Sequence, residues 1–181
     1  MKKDSAHKII DDGKFILFLG DADASECKEF IENNNIKAIV NCTPDLPCVF
    51  KGKVEYLRLP IEDSLKDVDI KKMIKMLPDA LKFINNHHKK GNNVFVHCVA
   101  GMQRSVTVVT AYLCHQYHIP LTESVNYILQ KRPQAFHHGK HLNFYESLIY
   151  YKKVPQSQKS LSLKGNHPSA KTRVSSLQKK S

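Results

Sequence analysis

Five residues separate a cysteine from an arginine in Val96-His97-Cys98-Val99-Ala100-Gly101-Met102-Gln103-Arg104-Ser105. That pair suits attack on phosphorus. A thiolate is a strong nucleophile, and a guanidinium offers two parallel N–H bonds to two phosphate oxygens in a geometry that lysine cannot copy. A loop of this length lets successive backbone N–H groups converge on one point, with Gly101 free to take a positive φ, and a helix starting at Ser105 would add its positive end. A cysteine at the floor of such a cup is expected to ionise well below the value of about 8.5 for a free thiol. The candidate catalytic residues are therefore Cys98 as nucleophile, Arg104 as phosphate clamp and Ser105 as donor to the departing thiolate. The substrate-binding cradle is Val99, Ala100, Gly101, Met102 and Gln103 together with Arg104. His97, at the end of a strand, is expected to orient the loop rather than carry a proton.

The leaving oxygen needs a proton, and a carboxylic acid on a loop at the same edge can supply it. Leu59-Pro60-Ile61-Glu62-Asp63-Ser64 follows a strand end and offers Asp63, with Glu62 and Asp67 close by. Asp63 would then serve a second time, as the base that activates water against a phosphocysteine. No cofactor is needed, and no His, Cys, Asp or Glu cluster has metal-ligand spacing. Cys42 closes a neighbouring strand and is a candidate partner for Cys98 in a reversible disulfide. His137 and His138 are further candidates for phosphate contact, although paired loop histidines are ordinarily just exposed.

Strands and helices must place these groups. Phe15 to Gly20 reads as a strand. Asp21 and Asp23 offer caps for a short helix over Glu26 to Asn33, and Ile36 to Cys42 reads as a second strand ending in the loop Thr43-Pro44-Asp45-Leu46-Pro47. Val54 to Leu59 alternates like a half-exposed strand that Pro60 stops. Apolar positions at three and four residue steps from Asp67 to His88 predict a helix, which Pro78 should kink or divide. Val94-Phe95-Val96 has the wholly apolar character of a strand buried on both faces and leads straight into Cys98. Helices are expected over Ser105 to Tyr117, Thr122 to Lys131 and Leu142 to Tyr151. Strands interleaved with helices imply an α/β fold with a central, mostly parallel sheet flanked by helices. In such sheets ligands bind outside the carboxyl ends of the strands, where the Cys98 loop falls.

The chain has 181 residues, 41% of them hydrophobic, enough for one domain. Five cysteines, Cys27, Cys42, Cys48, Cys98 and Cys114, include no Cys-x-x-Cys pair, which fits a reducing compartment and disfavours a disulfide framework. No apolar run is long enough to span a membrane, and the N-terminus lacks a signal-peptide core. An intracellular protein, cytoplasmic or nuclear, is expected. The net charge of +11 is uneven: residues 152–181 hold eight of the 28 Lys and Arg and no Asp or Glu. This segment has too few apolar residues to offset the entropy of ordering. The expected organisation is a flexible N-terminus over residues 1–8, a catalytic domain over 9–152 and a disordered basic tail over 153–181. The tail is a tether to acidic proteins, nucleic acid or anionic lipid, a localisation signal, or a solubilising extension.

Across about Ile9 to Tyr151 the sequence resembles the dual-specificity phosphatases, above all the catalytic domains of the MAP-kinase phosphatases. The resemblance rests on Phe18-Leu19-Gly20, Ile39 to Pro47, Leu59 to Asp63, Val96-His97-Cys98 to Thr107, and Ala111-Tyr112-Leu113. It implies a protein tyrosine phosphatase-like fold, with Cys98 as the phosphocysteine nucleophile, Arg104 as phosphate binder and Asp63 as general acid. Gln103 stands where the family usually carries Ser, and Arg132 to Gly139 departs from its usual Pro-Asn segment. Fewer than fifteen residues precede the first expected strand, so no kinase-docking domain is expected there, and the chain resembles a compact, atypical member. The implied activity is hydrolysis of phosphotyrosine and phosphoserine/threonine in proteins, kinases among them. The alternatives are a phosphatase for RNA 5′-phosphate, phosphoinositide or phosphoglycan, and a non-catalytic phosphopeptide-binding module. The last ordinarily lacks the nucleophile.

Overall fold

The structure, a computed structural model, describes residues 5–64, 66–137 and 144–153. Its elements in chain order are β1 (Ala6–Asp11), β2 (Ile16–Gly20), α1 (Ala22–Glu26), α2 (Lys28–Asn33), β3 (Ile36–Asn41), β4 (Glu55–Arg58), α3 (Asp67–Lys89), β5 (Asn93–His97), α4 (Arg104–Gln116), α5 (Leu121–Lys131) and α6 (Tyr145–Lys153). The sheet runs β1-β2-β5-β3-β4. All its pairings are parallel except β1 with β2.

β5 lies at the centre because it can be buried on both faces. Val94 and Val96 join the larger core with Leu17, Leu19, Ala38, Val40 and the apolar sides of α3 to α6. Phe95 points the other way, into a smaller core with Phe18, Ile39 and residues of α1 and α2. The period-two alternation of a strand thus divides one tripeptide between two layers. Phe95 meets Phe30 edge-on, with ring centroids 5.1 Å apart.

Three local features depart from the sequence-based expectations. The expected flexible segment over residues 1–8 is strand from Ala6 onward, paired antiparallel to β2, and Gly20 lets β1 approach so closely that an added Cβ would lie 2.3 Å from the Ser5 carbonyl oxygen. Asp21 caps its own short helix α1 by accepting from the Ala24 N–H at 3.1 Å, and a separate helix follows from Lys28. Pro78 does not divide α3, which runs unbroken for 23 residues. Packing of Met73, Leu77, Leu81 and Ile84 into the main core outweighs the one intrahelical bond that proline forfeits.

Elsewhere the strand-end loops are tied by buried Asn41 and half-buried Arg58. Asn41 accepts from the Thr43 N–H and hydroxyl and donates to the Leu46 carbonyl, while Arg58 donates to the carbonyls of Thr43 and Leu46. His88 bridges Asp12 and the Tyr112 hydroxyl, 2.8 Å from each, joining α3, the β1–β2 turn and α4. Leu142 and the expected tail from residue 154 onward lie outside the described residues.

Because Phe95 holds the smaller layer against the strand that leads to Cys98, Phe95→Ala is expected to lower unfolding free energy by about 3–5 kcal/mol. Urea unfolding followed by circular dichroism measures it, and a loss below about 1 kcal/mol would contradict packing of this face.

Candidate active site

The loop from Cys98 to Gln103 leaves the end of β5 and enters α4 at Arg104. Its carbonyls from Val99 to Gln103 are taken up on the protein side. Val99 O accepts from the Ala22 N–H at 3.0 Å and Met102 O from the Phe136 N–H at 2.8 Å. Arg132 donates from Nε to Gly101 O at 2.7 Å and from Nη2 to Ala100 O at 3.1 Å. Gln103 O accepts from both the N–H and the hydroxyl of Thr107. With the carbonyls turned outward, the N–H groups of Val99, Ala100, Gly101, Met102 and Gln103 meet no protein acceptor among the described residues. Protein amides are rarely left unpaired, so this row is suited to an external acceptor. The first turn of α4 has no side-chain cap on its N–H groups and adds the positive end of the helix.

Gly101 takes φ +64°, and a Cβ there would come within 2.6 Å of Arg132 Nη2 and 2.5 Å of the Gly20 carbonyl oxygen. Glycine is required on both counts. Arg132 is 1% exposed. Sequence reasoning noted it only as part of an unusual segment, because an arginine thirty residues downstream gives no local sign that it will serve as a brace for this loop. Its Nη1 also donates to His7 Nδ1 at 2.8 Å, linking the loop to edge strand β1.

Cys98 is buried at the start of the loop, and the Ser105 hydroxyl donates to its sulfur at 3.3 Å. Arg104 is also buried. Its Nη1 donates to the Ile61 carbonyl at 2.9 Å and its Nη2 lies 3.3 Å from Asp63 Oδ2, while Nε has no partner among the described residues. The structure therefore brings Asp63, Arg104, Ser105 and Cys98 together. Glu62 and Asp67 are exposed and, among the described residues, make no hydrogen bond or ion pair with this group. Asp63 is 42% exposed, and ion pairs that open to solvent are worth about 0–1 kcal/mol, so an entering dianion can displace its carboxylate from Arg104.

His97 is fully buried and stacks on Phe95. Burial, helped by the charges of Arg58 and Arg104, pushes its pKa down to about 4 against the pull of the Cys98 backbone. It is neutral at physiological pH and placed as a spacer beneath the loop. Cys42 occupies the matching position just past the end of β3, donating its N–H to the His97 carbonyl at 2.8 Å. Burial, reinforced by neighbouring Cys98, pushes its thiol far up, which makes it a poor resolving thiolate. The side chain of Gln103 is buried, His137 is exposed, and His138 lies outside the described residues. Among the described residues no three His, Cys, Asp or Glu side chains gather in a way that could hold a metal ion.

Residues 17–154 match the family model for the dual specificity phosphatase catalytic domain. The chain belongs to that family. It is 38% identical over 140 residues to the dual specificity protein phosphatase Mpk3 of Drosophila melanogaster, a match that covers 74% of this chain and 33% of the relative. It is 33% identical over 150 residues to human dual specificity protein phosphatase 9, covering 80% of this chain and 38% of that one. The chain thus spans about a third of the length of these curated relatives. Human DUSP28 superposes with a TM-score of 0.71 over 84% of this chain and 95% of its own at 23% identity, a likeness of fold. The dual specificity phosphatase fold is therefore the one expected from the sequence, with antiparallel β1 added at the edge.

The cradle can be probed without turnover. Gly101→Ala should weaken binding of tungstate, a tetrahedral dianion, by about tenfold or more as measured by calorimetry, since strain at this position costs about 1–3 kcal/mol. Unchanged affinity in a folded variant would contradict an anion site built from this loop.

Proposed function

We propose that the protein hydrolyses phosphotyrosine and phosphoserine/threonine in proteins through a phosphocysteine on Cys98. The observation that carries this reading is the row of five loop amides without acceptors among the described residues, set between a buried thiol and a buried guanidinium.

The amides and Arg104 hold the three non-bridging oxygens of the phosphoryl group, where charge is spread in the transition state. Once phosphate enters, Arg104 keeps Nη1 on Ile61 and offers the edge formed by Nε and Nη2. The Cys98 thiolate attacks phosphorus as the ester P–O bond breaks, and Asp63 gives its proton to the leaving oxygen. In the second half, Asp63 as carboxylate takes a proton from water, the resulting hydroxide attacks phosphorus, and the S–P bond breaks. The electron pair returns to sulfur, where the Ser105 hydroxyl stabilises the thiolate, and inorganic phosphate leaves. Neutral His97 keeps the loop in place and transfers no proton.

Exposed Val99 and Ala100 set the rim of the loop at the surface, which supports access for short as well as long phosphorylated side chains. Among the described residues no helix is long and apolar enough to cross a membrane. Phosphorylated proteins, kinases included, are the partners this reading assigns, in the cytoplasm or nucleus where a functional thiol stays reduced. The basic residues 152–181 would add attraction for acidic partners or nucleic acid.

Turnover of a doubly phosphorylated kinase-loop peptide, compared with 5′-triphosphorylated RNA and phosphoinositides, tests the reading. The peptide is expected to be the preferred substrate, and preference for RNA or lipid would replace the substrate class while keeping the chemistry. Cys98→Ser should abolish turnover, and Asp63→Ala should lower kcat by about 10²–10⁴-fold with little change in substrate binding. Chelators should have no effect; inhibition by them would contradict the mechanism.

A further inference from the structure

Arg104 holds the Asp63 loop from one side, at Ile61 and at Asp63 itself. A second hold comes from the first turn of α3. Asp69 is 2% exposed, an unusual position for a carboxylate. Ser64 donates a short hydrogen bond from its hydroxyl to Asp69 Oδ2, and Lys72 Nζ stands 3.5 Å from Oδ1. The Asp69 carboxyl is held below the ordinary carboxylate range, because donation from Ser64, with lesser help from Lys72 and the Glu62 backbone N–H, outweighs burial.

Serving the α3 dipole does not account for burying this side chain. Asp67 sits exposed in the same turn and supplies a negative charge there without the desolvation cost. What distinguishes Asp69 is its partner: the hydroxyl it holds belongs to Ser64, the residue that follows Asp63 in the loop.

We propose that Asp69 is a positioning residue for the general acid, gripping the loop at Ser64, next to Asp63, so that the Asp63 carboxyl stays within reach of the leaving oxygen. The proposal rests on the phosphatase reading above. Its importance grows at the moment phosphate enters: Arg104 Nη2 turns to the anion, Asp63 loses that contact, and the loop is then held by the Ile61 carbonyl and by Asp69. A misplaced acid costs most when the leaving oxygen is strongly basic, and little when the leaving group departs without a proton.

The test is kcat/KM, which reports steps through the first phosphoryl transfer, for aryl phosphates ranging from dinitrophenyl to phenyl phosphate. Ser64 is exposed, so Ser64→Ala removes the hydroxyl with little threat to folding; Asp69→Asn is the second variant, with its fold checked by circular dichroism. Both should lower kcat/KM for phenyl phosphate by about tenfold or more while changing dinitrophenyl phosphate by no more than about twofold. Ser64→Thr should restore most of the loss. Adding Ser64→Ala to Asp63→Ala should cost nothing further, because the acid it positions is gone. An equal loss along the whole series, no loss, or full additivity with Asp63→Ala would overturn the proposal and leave the phosphatase reading standing. A wild-type protein that hydrolyses none of the series would instead overturn that reading itself.

Discussion

Turning four successive carbonyls, from Val99 to Met102, away from a common centre is the constraint on which the rest of the site depends. A short loop cannot do this alone, since the amides that face inward repel one another and the strand-to-helix reversal requires a positive φ at Gly101. The protein enforces it with four bonds from three places: α1 through Ala22, the segment after α5 through Phe136, and Arg132 through two of its nitrogens. A buried arginine is costly to desolvate, and it is retained where its donors have carbonyl partners in fixed geometry. Removing either side of that arrangement leaves a buried polar group unpaired, a larger penalty than most surface ion pairs could offset.

The fold explains why the remaining groups arrive at the same place. Parallel strands β2, β5, β3 and β4 end at one edge, so the loops after β4 and β5 bring Asp63 and Cys98 to one rim although their positions in the chain lie far apart. The central position of β5 comes from its two-sided burial, and that burial also fixes the depth of Cys98. The contacts across the site differ in stiffness. The Arg104 bond to Ile61 is buried, whereas its contact with Asp63 opens to solvent, so the carboxylate can move while the guanidinium stays anchored.

Much of this was legible in the sequence because it is local. Cys98, Gly101, Arg104 and Ser105 announce a strand–loop–helix turn by type and spacing, and Pro60 marks the strand end that places Asp63. Val94-Phe95-Val96 revealed a strand buried on both sides. What escaped notice depends on contacts between distant segments. β1 lacks a strong period and forms because Gly20 permits close approach. Arg132 looks like any helix-terminal arginine until the loop folds against it, and the burial of Asp69 cannot be inferred from an acidic stretch at the start of a helix. Pro78 acts in the opposite sense: local chemistry argues for a kink or a division, and core packing keeps α3 undivided. The arrangement of residues 138–143 and of the basic segment after 153 lies outside the described residues.

Rapid acid quench of the wild-type protein during turnover of an aryl phosphate, followed by peptide mass spectrometry, tests the central claim most directly. A phosphoryl group on Cys98, appearing and decaying at rates compatible with turnover, is the predicted result. Turnover with no covalent intermediate, or with phosphate on another side chain, would contradict the account.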